Sequence, residues 1–156
     1  MDAFNLKVTP MKENSDKKIN FLKKLDASAL MVFEELCARM YMQKAFDKCQ
    51  LHYTGVDNCD ARVRLLDPLP TGRFNVATIK YQPRYRRFLI RIGSEDLTTK
   101  LIRKYPNDIV CKSAVRLGNH TYLPTSGDID AIVDQIDVAF DLIKASMSYF
   151  AKQQAA

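Results

Sequence analysis

The sequence predicts an α+β domain: an antiparallel meander sheet with helices packed on one face, in the order α-β-β-β-β-α-β-β-α. Three observations predict it. Apolar residues recur at spacings of three and four near both ends of the chain. The block from Gln50 to Ile92 repeats with a period of two, and the separators inside that block carry turn chemistry.

A chain of 156 residues that is 47% hydrophobic and 27% charged can bury one core but is too short for two. Residues 1–14 carry Pro10 and no clear period, so they are expected to form a flexible arm with one short strand near Phe4–Val8. A single domain over 15–152 and a polar tail over 153–156 complete the organisation. No apolar run approaches the roughly 18 residues a bilayer demands. Met1 to Leu25 lacks the continuous apolar stretch of a secretory signal, so a cytoplasmic protein with no membrane contact is expected.

Ser15 or Asp16 is placed to cap a short helix through Leu25, and Asp26 or Ser28 to start a long one. In the latter, Leu30, Phe33, Leu36, Cys37, Met40 and Tyr41 form an apolar stripe, with an end near Phe46. Strands are expected over Gln50–Tyr53, Ala61–Leu66, Phe74–Tyr81 and Arg86–Ile92, separated by turn residues at Gly55, Asp57-Asn58, Pro68, Pro70, Gly72 and Pro83. In the last of these, Phe88, Ile90 and Ile92 face one way and Arg87, Leu89 and Arg91 the other, giving a meander with one wet face.

Ser94 caps a helix running to Tyr105, with Glu95 and Asp96 at its positive end and Lys100, Arg103 and Lys104 at its negative end. Pro106 stops it, and a strand over 109–117 follows by alternation. Gly118-Asn119 turns into Tyr122-Leu123. Ser126 or Asp128 then begins the final helix, whose apolar face comprises Ile129, Ile132, Val133, Ile136, Phe140, Ile143 and Met147.

The formal charge of +6 is unevenly spread. Residues 61–116 hold thirteen Lys/Arg against four Asp/Glu, whereas 1–60 are balanced and 117–156 are acidic. A localised positive field attracts phosphates, anionic surfaces or an acidic partner. Its densest point is Lys80 to Arg91, with five cations, three aromatics and no acid. Arginine forks bind phosphate oxygens bidentately and tyrosine rings stack on exposed bases. The plainer alternative is a solvated hairpin whose arginines discourage edge pairing and lie over tyrosine rings.

Five further segments follow one another along the second half of the chain. Phe74-Asn75-Val76-Ala77 leads into Arg87-Phe88-Leu89-Ile90-Arg91-Ile92, and a strand ends near Gly118-Asn119-His120. Thr125-Ser126-Gly127-Asp128-Ile129-Asp130 then leads into Asp137-Val138-Ala139-Phe140. Together they resemble a small uncharacterised bacterial α+β domain family labelled "predicted transport protein". Its members occur alone or at the C-terminal end of larger chains, some of them restriction-type nucleases. The resemblance covers roughly half of the chain, Phe74 to Ser146. It implies a compact binding or accessory module and brings no catalytic set.

Other chemistry is thinly represented. Cys49, His52 and Cys59 lie close in sequence, with Cys111 or His120 as a fourth ligand, but the spacing is not a standard zinc pattern. On a strand, Cys49 and His52 would point to opposite faces. Asp57, Asp60 and Asp67 with Lys80 have the donors of a magnesium-dependent nuclease, yet these aspartates are also what turns use. Neither histidine stands in a nucleophile context.

The expected function is therefore a non-enzymatic binding module for a polyanion, DNA or RNA foremost, with no cofactor and no metal. Arg84, Arg86, Arg87 and Arg91 would contact phosphates, and Lys80, Arg103 and Lys104 would add field. Tyr81 and Tyr85 would stack on bases or brace the arginines. A protein partner or homodimer, in which the acidic last helix of one copy meets the basic sheet of another, is the competing class. A metal-dependent nuclease-like enzyme stands third.

Overall fold

The computed structural model describes residues 12–13, 15–54, 60–65, 74–104, 112–125 and 129–155. Strand β1 (Lys12–Glu13) precedes helices α1 (Ser15–Leu22) and α2 (Ala27–Tyr41), and a 3-10 turn (Lys44–Phe46) leads into the sheet. The meander is β2 (Cys49–Thr54), β3 (Asp60–Leu65), β4 (Phe74–Gln82) and β5 (Arg87–Ile92). Helix α3 (Glu95–Lys104), the hairpin β6 (Val115–Leu117) and β7 (His120–Pro124), and α4 (Ile132–Ala155) complete the chain. The spatial order is β1-β2-β3-β4-β5-β7-β6, antiparallel throughout except for the short parallel contact of β1 with β2. This is the α+β architecture that the periodicities predict.

Local chemistry accounts for the helix boundaries. The Asp26 carboxylate accepts the Ala29 N–H at 2.9 Å, satisfying a donor that the first turn of α2 leaves unpaired. Ala29, Val32, Phe33, Leu36, Cys37 and Met40 are the buried face of α2. This face is rotated slightly from the expected stripe, so Leu30 and Tyr41 lie at its margin. The helix ends at Tyr41, with the 3-10 turn taking the chain to Phe46. Ser94 Oγ accepts the Leu97 N–H at 3.1 Å at the start of α3, as its sequence indicates.

Helix α4 starts four to six residues later than expected. Ile129 is buried in the preceding turn, while Asp130 there accepts the Ser28 hydroxyl at 2.9 Å and pairs with Arg86. Those partners hold the segment outside the helix. The expected strand over 109–117 contracts to Val115–Leu117: Lys112 and Ser113 are helical and turn-like, and 109–111 lie outside the described residues, as does Phe4–Val8. Gly118 turns β6 into β7 at φ 61°, a conformation that favours glycine.

Helices α2 and α4 lie side by side over the sheet. Ser28 meets Asp130 and Arg39 Nη1 meets Asp137 at 2.7 Å, so the two run in the same direction. Beneath them, Leu51, Tyr53, Val63, Ile79, Phe88 and Ile90 join Phe33, Leu36, Ala139 and Ile143 in one apolar cluster. Phe21 of α1 closes its edge, with ring centroids 4.8 Å from Phe33 and 5.7 Å from Tyr53. Helix α3 covers a smaller cluster on the same side, where Leu97, Leu101 and Ile102 meet Ile92 and Leu123.

A bulge sets the twist of the central strands. Val63 pairs with Ala77 but Arg64 with Asn75, leaving Val76 as the extra residue of β4. Both Gly93 N–H (2.9 Å) and Ser146 Oγ–H (2.6 Å) donate to the Val76 carbonyl. Gly93 is needed there because an added Cβ would lie 2.1 Å from the Asn75 carbonyl oxygen.

The second sheet face departs from the wet face expected. Leu89, Thr78, Asp60 and Tyr122 all lie on it and are all buried. Leu89 is flanked in register by Lys80 and Pro124 and is fully buried.

Candidate anion-binding face

The expected cradle at the hairpin tip does not form as one cluster. The turn over Pro83–Arg86 is closed by Tyr85 N–H to Gln82 O and Arg86 N–H to Pro83 O, both at 3.2 Å, and Arg86 sits at φ 46°. From that strained position its guanidinium points back at the helices. Its Nε donates to Asp26 Oδ2 at 2.9 Å, and Nη2 and Nη1 donate to Asp130 at 3.2 and 3.4 Å. The Ala29 N–H and the Arg86 guanidinium hold the Asp26 carboxyl below its ordinary range. Arg86 and then the Ser28 hydroxyl do the same for Asp130. Arg86 is thus neutralised by two carboxylates and ties the hairpin to the starts of both long helices.

Tyr81 is not a stacking platform. Its ring is buried against Phe88 at a centroid distance of 4.9 Å, and its hydroxyl donates to Asp26 Oδ2 at 3.4 Å. Burial, followed by the Asp26 charge, pushes the phenol above its ordinary value. Tyr85 is the exposed ring at the tip, with the Arg84 and Arg87 guanidiniums 5.5 and 5.0 Å from its centroid. Arg87 Nε also donates to Gln82 Oε1 at 2.8 Å. Arg103 and Lys104 are exposed at the end of α3, on the helix-covered side of the sheet.

Cations instead converge on the second sheet face, through pairing register. His52 lies opposite Arg62, Arg62 opposite Thr78, and Thr78 opposite Arg91, so these four form one row across β2 to β5. The adjacent row carries Thr54 and Asp60 in register, then Lys80, Leu89 and Pro124. Gln82 with Arg87 forms the next, leading to the tip. Arg64 joins the face beyond the bulge, its Nε donating to Asn75 Oδ1 at 3.1 Å. Rows on one face recur about every 6.6–6.8 Å along a strand.

Asp60 is the acid set among these cations. It begins β3 rather than occupying a turn, it accepts the Thr54 hydroxyl, and it lies 3.3 Å from Arg62 Nε and 4.0 Å from Lys80 Nζ. Arg62 Nε and Arg91 Nε are buried and lack a hydrogen-bond partner among the described residues. Tyr122 sits beside them. Burial is the main cause that raises its phenol pKa and the Asp60 charge adds to it, while Arg91 and Arg62 oppose the rise. Among the described residues, five cations (Arg62, Arg64, Lys80, Arg87 and Arg91) therefore share this face with the Asp60 carboxylate.

The structure keeps Lys80, Arg87 and Arg91 of the expected set on one face and adds Arg62 and Arg64. The signal for the added pair was the alternation Ala61-Arg62-Val63-Arg64-Leu65. Cys49 and His52 point to opposite faces as strand alternation requires: Cys49 Sγ lies in the core 3.9 Å from Met147 Sδ, and burial pushes its thiol up to about 12. Cys59, Cys111, Asp57 and Asp67 lie outside the described residues. Among the described residues, no three metal-ligating side chains converge, and no helix is long and apolar enough to cross a membrane. No family model, curated protein or solved structure matches the chain.

Proposed function

We propose that this chain is a non-enzymatic binding module for nucleic acid, engaging the phosphate backbone through the second sheet face, with the hairpin tip at its edge. The observation that carries this reading is the register that sets Arg62, Lys80, Arg87 and Arg91 side by side with Asp60 among them. A partly desolvated cationic surface strengthens attraction to phosphates and weakens competition by bulk salt. Tyr85 extends it with an exposed ring suited to an unpaired base. An accessory role is in keeping with the kind of module that the family resemblance implies.

The test is a titration of labelled single-stranded DNA, RNA and duplex across a salt series. Four neutralised phosphates on a single strand give a slope of log K against log salt of about −3. Absence of salt-sensitive binding at micromolar protein removes the proposal. A stable dimer in light scattering, free of nucleic acid, would instead assign the face to a second copy of the chain.

A further inference from the structure

We infer that Arg86 is a positioning residue: fastened to Asp26 and Asp130, it fixes the hairpin tip so that Tyr85 meets a ligand already ordered. The inference takes its ligand from the nucleic-acid reading and its geometry from the turn itself. Arg86 ends that turn at φ 46°, in the left-handed region that glycine enters freely and arginine rarely does. Such a conformation persists where surrounding contacts over-determine it, and it recurs at ligand clamps.

The contacts around Arg86 are of that kind. Each guanidinium nitrogen donates: Nε to Asp26 Oδ2 at 2.9 Å, Nη2 to Asp130 Oδ1 at 3.2 Å and Nη1 to Asp130 Oδ2 at 3.4 Å. The two acceptors are held by bonds of their own, Asp26 by the Ala29 N–H at the start of α2 and Asp130 by the Ser28 hydroxyl. The anchor is therefore oriented from the helix side and the tip is fitted to it. The neighbouring cations are used differently. Among the described residues neither Arg84 nor Arg87 pairs with a carboxylate, and their guanidiniums lie 5.5 and 5.0 Å from the Tyr85 centroid. Arg87 is in turn held by Gln82 Oε1 at 2.8 Å. The exposed ring thus sits between a strand end closed by Gln82–Arg87 pairing and the Arg86 anchor. Ordering a loose loop on binding costs affinity, and a tip ordered beforehand avoids that cost.

The experiment cuts the clamp from both sides in the full chain. Asp26→Asn with Asp130→Asn removes the anchor charges; asparagine still caps α2, and exposed ion pairs contribute little to stability, so the chain is expected to fold. Arg86→Gly removes the guanidinium and suits the backbone angle. The control, Asp134→Asn with Asp141→Asn, makes the same charge change at exposed positions of α4. Amide relaxation should give Tyr85 and Arg86 order parameters of about 0.85 in the parent and control, and below about 0.6 in both clamp variants. A single-stranded oligonucleotide should bind the Asp26→Asn with Asp130→Asn chain about two- to tenfold more weakly than the control of equal net charge. That difference should vanish once Tyr85→Ala is present in both, since the clamp acts through the ring. If the asparagine pair does not fold, Arg86→Gly against Arg103→Gln, again at equal charge, carries the comparison.

Unchanged order parameters in the clamp variants overturn the inference. Affinity equal to the control overturns it too, and affinity above the control would mean that the carboxylates withhold Arg86 from the ligand. A loss that persists without the Tyr85 ring also contradicts positioning. A parent chain that binds no oligonucleotide removes the nucleic-acid reading, and the order parameters then decide the clamp by themselves.

Discussion

Replacing Gly93 with alanine should destabilise the chain through the bulge that aligns the cationic rows. The new Cβ would stand 2.1 Å from the Asn75 carbonyl oxygen and 3.0 Å from that of Val76, both backbone atoms with little freedom to yield. Retreat of β4 would weaken the Gly93 N–H to Val76 bond, which measures 2.9 Å. Losing one backbone hydrogen bond costs about 1 kcal/mol, and overpacking adds about 1–3, giving roughly 2–4 kcal/mol in all. Domains of this kind hold only about 5–15 kcal/mol in total. Urea unfolding followed by circular dichroism should show a midpoint lower by about 1–2 M with an unchanged slope. A midpoint within about 0.2 M of the parent would refute the steric reasoning and with it the claim that the bulge is rigid.

Arg86→Ala should flatten the acid limb of the stability curve. The folded-state pKa values of Asp26 and Asp130 are depressed, so the stability they contribute is present above their ordinary value of 3.8 and lost as pH falls through the folded pKa. Urea midpoints between pH 6 and pH 2 should fall further in the parent than in the variant, and parallel curves would contradict the carboxylate clamp. Cys49, buried with its pKa near 12, should resist alkylation in the native chain at pH 8 and react once urea unfolds it. Labelling at equal rates with and without urea would contradict its burial. Tyr85→Ala should weaken single-strand binding by about 1–3 kcal/mol in fluorescence titrations and barely alter duplex binding. Equal losses on both substrates would exclude base stacking.

Much of the architecture is legible locally. Ser94 with its two following acids marks the start of α3, and strict alternation marks β3, because each signal lies within a few residues. The functional surface is less so. Arg86 looks like the centre of the basic hairpin in a linear reading, yet its partners Asp26 and Asp130 are 60 and 44 residues away. Tyr81 carries the same aromatic-basic signature as Tyr85 but falls on the core side of β4, where Phe88 covers it. The row joining Arg62 to Arg91 depends on the register of three strands, and no local pattern encodes it. Likewise, Leu89 falls on the outward face by alternation yet is fully buried there.

The most direct test compares two variants that remove equal charge from different sides of the molecule. Arg62→Gln with Arg91→Gln strips the sheet face, and Arg103→Gln with Lys104→Gln strips the exposed end of α3. Single-stranded oligonucleotide affinity is measured for each across a salt series. Binding on the second face predicts that the first pair lowers the magnitude of the salt slope by about 1.4 while the second leaves it near the parent value. Equal losses from both pairs would mean that net charge alone drives association, and a loss confined to the α3 pair would place the interface on the opposite side.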